Sequence, residues 1–218
     1  SDFYIALNHI APFKPLDFPL LATAETGNPR PGNWVGFLFQ NTAAPYALPN
    51  VKVTTKNIEQ GIFRSSHLRS PGRIENSFAN ESFMDELAVA SGQDPVSFRL
   101  RHLSDPRARA VIEAVVRRAQ WDPAAPGGEG RGVGLAFARY KNIGNYAAVI
   151  AEVELTERVA VKRVVAAVDC GCIVNPDGVL NQLEGGVVQV TSWVLKEQVR
   201  FDDHRITSTD WDSYPILR

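Results

Sequence analysis

The sequence predicts an α+β fold: a helical layer over residues 75–121, then a mostly antiparallel sheet with one long helix over residues 127–218. Three patterns carry this expectation. Polar caps stand before proline at Asp94-Pro95, Asp105-Pro106 and Asn175-Pro176, and each marks a helix start. Two runs rich in apolar β-formers, 147–155 and 159–168, are joined by Thr156-Glu157-Arg158 and read as a hairpin. Val179, Leu183, Val187, Val190 and Val194 recur at helical spacing and predict a core stripe.

The elements follow in order. Residues 1–50 are rich in Pro, Asn and Thr, and their prolines prevent long helices. Residues 23–36 read as a Pro/Gly/Asn-rich loop, with a short extended piece at Trp34–Phe39. Val51-Lys52-Val53-Thr54-Thr55 alternates apolar and polar residues, which predicts a half-buried strand. Residues 61–75 form a donor-rich loop containing Arg64, Ser65, Ser66, His67, Arg69, Ser70, Gly72 and Arg73. A helix is expected from about Ser77 to Ser91, with Ala79, Phe83, Leu87 and Ala90 on its inner face and Met84 and Ala88 beside them. Gly92 is its natural stop.

The next helices run from Pro95 to about Leu103 and from Pro106 to near Trp121. The second presents Ile112, Val115, Val116 and Ala119 inward. The glycine-rich stretch Pro126–Gly134 is the clearest internal boundary. It divides the chain into an extended segment plus helical layer (1–126) and a hairpin plus long-helix subdomain (127–218). Its glycines make a poor dinucleotide loop, because they follow a helix and open a strand, Val133–Tyr140. Both hairpin strands should be largely buried. The long helix should run from Pro176 to about Gln198.

Bulk properties exclude several function classes. Lys+Arg 23 against Asp+Glu 24 gives a net charge of −1, which argues against bulk binding to nucleic acid or an anionic membrane. No apolar run approaches the roughly 18–20 residues of a membrane helix. The start at Ser1 shows no signal peptide and suggests an internal start, so that 218 residues describe a piece. Cys170 and Cys172 are poorly placed for a mutual disulfide and read as buried or half-buried free thiols. His9, His67, His102 and His204 show no metal-ligand spacing, so no metal site is assigned.

Chemistry has two candidate places. One face of the long helix carries Gln182, Gly185, Gly186 and Gln189. Two adjacent glycines inside a helix cost about 1 kcal/mol each relative to alanine. Either another backbone packs closely there, or a ligand approaches while a glutamine amide bonds it. The second place is the Arg64–Arg73 loop. Arginines and the N–H groups of a following helix start favour anions, whereas the plain alternative is a solvated surface loop. Ser65, Ser66 and His67 have no carboxylate orienter and make a poor hydrolase triad.

At these residues the chain resembles a known family. Arg69-Ser70-Pro71-Gly72, the run Asn76–Ala88, Gly92–Leu100, Asp169-Cys170-Gly171, Asn175-Pro176, Gln182-Leu183-Glu184-Gly185-Gly186 and Tyr214–Arg218 together resemble the molybdopterin-binding subunit of the xanthine dehydrogenase/aldehyde oxidase family. The nearest branch is that of the isoquinoline 1-oxidoreductase beta chains, and the resemblance covers roughly residues 45–218. It implies a molybdenum-cofactor-binding domain. The activity implied is hydroxylation of aldehydes or N-heteroaromatics with water-derived oxygen. The cofactor implied is molybdopterin cytosine dinucleotide with molybdenum, and electrons would pass to iron–sulfur clusters in a partner subunit.

Residue by residue, Arg69 matches the arginine of the loop beside the molybdenum site, and Gln182 matches the glutamine that hydrogen-bonds the cofactor. Ser70, Pro71 and Gly72 would line the same pocket, and Gly185 and Gly186 share the Gln182 face. Glu184 matches no catalytic position and reads as structural. The Gly-Gly-Phe-Gly loop and the Gly-Gln-Gly segment of the family do not occur in these residues. The Gly-Glu motif carrying the general base is expected beyond Arg218, so the chain by itself should be inactive. Two other readings compete: a non-catalytic scaffold that retains the fold, and a small-ligand or nucleotide module using the Arg64–Arg73 loop.

Overall fold

A computed structural model of the chain describes residues 39–55, 69–123 and 128–217. Among the described residues it is an α+β structure of four helices and one antiparallel sheet of three strands. Two compact units divide it: Ser1–Ala110 with Phe137–Tyr146, and Val111–Ala136 with Ala147–Arg218. The loop at 23–36, the piece at 34–38, the residues Arg64–His67 and the boundary at Pro126 lie outside the described residues.

In the first unit, α1 (Arg73–Ala90) begins four residues before the expected Ser77. The side chain of Asn76 reaches back to the Gly72 carbonyl at 2.7 Å, so the turn before Ser77 is already tied down. The helix stops where the sequence predicts. Gly92 takes φ 66°, and the N–H of Gln93 turns back to the Ala88 carbonyl at 2.9 Å. Its inner face differs from the apolar reading. Ala90 is exposed, while Asn76, Ala79, Glu81, Met84 and Ala88 are buried. Polar residues belong on that face because their partners lie there too.

Helix α2 (Pro95–His102) starts as its cap predicts, with Ser97 N–H donating to Asp94 Oδ2 at 2.8 Å. Helix α3 (Pro106–Ala119) repeats the device, with Arg107 N–H donating to Asp105 Oδ1 at 2.9 Å. Val51–Thr55 is a correction: the five residues are exposed and form no strand. Alternation supplies one apolar face, but among the described residues no strand pairs along it.

In the second unit, Val111, Ile112, Val115 and Ala119 of α3 are buried, as are Leu135, Ala148 and Ile150. Strands β1 (Arg131–Tyr140), β2 (Gly144–Leu155) and β3 (Val159–Asp169) pair in chain order. Gly130 opens β1 at φ 75°, and its carbonyl accepts from Leu155 N–H at 2.5 Å. The glycine-rich stretch therefore leads into a strand.

The expected burial of both hairpin strands needs correction. β2 buries Tyr146, Ala148 and Ile150, but β3 has no buried residue, because the described cover over it is one helix that leaves its residues half-buried or exposed. Helix α4 (Pro176–Leu195) packs against β3 and is capped by Asn175, whose Oδ1 accepts from Gly178 N–H at 3.0 Å. It ends three residues before the expected Gln198, where the N–H groups of Lys196 and Glu197 both turn to the Ser192 carbonyl.

The predicted core stripe of α4 is buried only in part. Val179, Leu183 and Val187 are half-buried, whereas Val190 and Val194 are exposed. The helix carries apolar residues all round and only one side meets β3. Cys170 is half-buried as expected, while Cys172 is exposed on the loop beyond the strand. No described helix is long and apolar enough to cross a membrane.

Candidate cofactor-binding site

The loop before α1 carries Arg69, Ser70 and Gly72. Arg69 and Ser70 are exposed, and Gly72 and Arg73 are buried. Ser70 at φ 61° and Gly72 at φ 75° are both left-handed, and Arg73 N–H closes the turn on the Ser70 carbonyl at 3.0 Å. Glycine takes this conformation freely, whereas serine does so at a cost. The Arg73 guanidinium lies over the Tyr140 ring, 4.5 Å from its centroid, which fixes the base of the loop.

The second set lies on α4. Gln182, Glu184 and Gly185 are exposed, and Gly186 and Gln189 are half-buried. A Cβ added at Gly185 or Gly186 would meet nothing within 4 Å. Close packing of another described backbone is therefore not the reason for these glycines. The face is open to a ligand or to further polypeptide.

The sequence-predicted residues thus fall into two local groups. Arg69, Ser70 and Gly72 share one loop of the first unit, and Gln182, Gly185 and Gly186 share one helix of the second. Among the described residues, no three His, Cys, Asp or Glu side chains gather as a metal site.

Sequence reasoning missed a buried polar cluster in the first unit. Glu81 accepts from Tyr46 OH at 2.8 Å, from Arg99 Nε at 2.9 Å and from Phe137 N–H at 2.8 Å. Arg99, with no exposed surface, also donates to the Glu81 carbonyl at 2.9 Å and to Asp85 at 2.6 Å. Burial pushes the Glu81 carboxyl above the usual carboxylate range, against the pull of Arg99 and of the Tyr46 and Phe137 hydrogen bonds. Burial likewise raises the Tyr46 hydroxyl, helped by the nearby Glu81 carboxylate. The available signal was a pair of carboxylates, Glu81 and Asp85, one helical turn apart around the buried Met84.

A second cluster surrounds the α3 cap. Asp105 accepts from Tyr146 OH at 2.8 Å and from Arg139 at 3.0 Å, besides Arg107 N–H. Desolvation pushes its carboxyl up, but the hydrogen bonds from Tyr146, Arg107, Ala108 and Arg139 outweigh it and hold the group below its ordinary range.

Two models described as molybdopterin cofactor-binding domains match the chain, over residues 27–103 and 100–218. The chain belongs to this family, and to the molybdopterin-binding subunits of the xanthine dehydrogenase/aldehyde oxidase type.

Among curated relatives, the B subunit of nicotinate dehydrogenase from Pseudomonas putida is 42% identical over 219 residues, covering 91% of this chain and 18% of that protein. The beta chain of isoquinoline 1-oxidoreductase from Brevundimonas diminuta is 33% identical over 193 residues, 86% of this chain and 24% of that protein. A membrane-bound aldehyde dehydrogenase [pyrroloquinoline-quinone] of Gluconacetobacter polyoxogenes is 24% identical over 187 residues, 77% of this chain and 24% of that protein. The chain thus spans about a quarter or less of the length of these relatives.

Proposed function

We propose that this chain is part of a molybdenum hydroxylase acting on N-heteroaromatic carbons, and that the Arg69 loop of its first unit and the Gln182 helix of its second each carry cofactor-binding residues. The observation that carries the reading is the Gly185–Gly186 face, where an added Cβ would meet no described atom within 4 Å, which leaves room for a ligand against the helix. Gln182 would orient the cofactor, because its amide can donate and accept at once. Arg69 would neutralise the anionic tail, because a guanidinium pairs phosphate oxygens bidentately. Ser70 and Gly72 would shape the pocket wall through the left-handed turn.

When bound, the molybdenum cofactor supplies two-electron redox chemistry and oxygen derived from water. The chain's own residues bind and orient it, and the general base would come from elsewhere in the full-length protein. Two relatives named for nicotinate and isoquinoline support the heteroaromatic class over aldehydes. The cytosine dinucleotide form and an iron–sulfur partner subunit complete the proposal.

The test uses the full-length subunit purified with its partner. Molybdenum, pterin and acid-released cytidine monophosphate are measured per subunit, with dye reduction by azaarenes and aldehydes. Losing a ligand-bonding amide costs about 1–3 kcal/mol, roughly a 5- to 150-fold loss of affinity. Gln182→Leu and Gly186→Val should therefore empty the site at limiting cofactor while leaving the melting temperature unchanged. Full cofactor content in both variants would refute the site. A wild-type complex without molybdenum would favour the scaffold reading.

A further inference from the structure

We propose that Asn76 is the positioning residue of the Arg69–Arg73 loop, latching the Ser70–Gly72 turn to the Gln40–Ala43 strap so that Arg69 is presented in one pose. The inference rests on the reading that this loop lines the cofactor.

Asn76 is only 2% exposed. Its Nδ2 donates to the Gly72 carbonyl at 2.7 Å and to the Gln40 carbonyl at 2.9 Å. One amide group thus ties a position four residues back to one 36 residues back. The amide –NH2 carries two donors, and both carbonyls need one. Aspartate offers none when ionised, and serine offers one.

The turn needs such a tie. Ser70 and Gly72 are both left-handed, and the Arg73 N–H bond to Ser70 runs within the turn itself. A conformation of this kind persists when its surroundings over-determine it.

The strap that receives the second bond is anchored independently of Asn76. Asn80 Nδ2 donates to the Asn41 carbonyl at 2.8 Å, Asn41 Nδ2 to the Arg139 carbonyl at 2.8 Å, and Asn142 Nδ2 to the Ala43 carbonyl at 2.8 Å. A fixed wall therefore stands behind the loop. Asn76 joins loop to wall, and the exposed Arg69 and Ser70 project from the joined structure.

The experiment compares Asn76→Asp, Gly92→Ala and Arg69→Ala in the full-length subunit with its partner. It reads pterin bound per subunit at limiting cofactor, melting temperature and the split between kcat and KM. Gly92 is the left-handed stop at the opposite end of α1 from the loop, so Gly92→Ala, which strains that backbone, controls for general loosening. The expected result is an at least tenfold loss of bound pterin in Asn76→Asp and Arg69→Ala. Gly92→Ala should keep its pterin despite a fall in melting temperature.

Pterin loss that tracks melting temperature across Asn76→Asp and Gly92→Ala would overturn the proposal. So would full occupancy in Asn76→Asp alongside loss in Arg69→Ala. Full occupancy in Arg69→Ala would overturn the cofactor-loop reading beneath it. If Asn76→Asp gives no soluble protein, Asn76→Ser decides by the same comparison, with an intermediate loss expected from its single donor.

Discussion

Replacing Arg99 by methionine removes a fully buried guanidinium and leaves the Glu81 carboxylate without its countercharge. Methionine matches the aliphatic stem, so the change is mainly electrical. Removing one partner of a buried ion pair costs about 3–5 kcal/mol. At about 1.4 kcal/mol per decade, amides of α1 and α2 that exchange through local opening should exchange roughly 150- to 4,000-fold faster. Hydrogen–deuterium exchange on the full-length subunit reads this directly.

The penalty should depend on pH. In the variant, burial still raises the Glu81 carboxyl above its ordinary 4.5, now without Arg99 to oppose it. A raised folded pKa means the cost is absent in acid and grows as pH rises through that value. Variant and wild type should therefore converge at low pH. The double variant Glu81→Gln/Arg99→Met should recover much of the loss, since no charge remains buried. Exchange within threefold of wild type for Arg99→Met, or a double variant no better than the single, would refute this reasoning.

Other outcomes follow from single contacts. Gly130→Ala forces an L-residue to φ 75° and sets its Cβ 2.5 Å from the Leu155 carbonyl oxygen. It should cost about 1–2 kcal/mol from the backbone alone, with faster exchange at the Leu155 amide as the check. Asp105, held below its ordinary 3.8, contributes stability that is present above that value and lost as pH falls through its lowered folded value. Asp105→Asn should therefore flatten the acid limb of exchange in the first turn of α3. Asp94→Ala removes the α2 cap and should cost about 1 kcal/mol, visible as fraying at Ser97.

Local devices were legible in the sequence. Asp94, Asp105 and Asn175 each cap the helix expected of them, and Gly92 stops α1 where expected. Their chemistry acts within four residues, so the chain states it openly. The buried face of α1 was not legible, because Asn76 and Glu81 look like surface residues until Gln40, Arg99 and Phe137 arrive from 36, 18 and 56 positions away. Val51–Thr55 failed for the opposite reason: a strand pattern makes no strand without a neighbour. On α4 the periodicity located the helix, but not which apolar positions would be covered. The candidate site divides in the same way. The adjacent glycines marked the Gln182–Gly186 face and the run of donors marked the Arg69 loop, the resemblance then gave Arg69 and Gln182 their expected roles, the structure showed the space at Gly185–Gly186, and the Asn76 tie could be seen only with the strap in place.

The Glu81 carboxylate also has a history during synthesis. Its salt-bridge partner is translated 18 residues after it, but the Phe137 N–H that completes its shell is 56 residues downstream. At about 5–20 residues per second that is a wait of roughly 3–11 s on the ribosome. Over that interval a charged acceptor destined for the interior is one donor short, and α1 and α2 can come together only provisionally. The first unit therefore matures when the sheet begins to emerge.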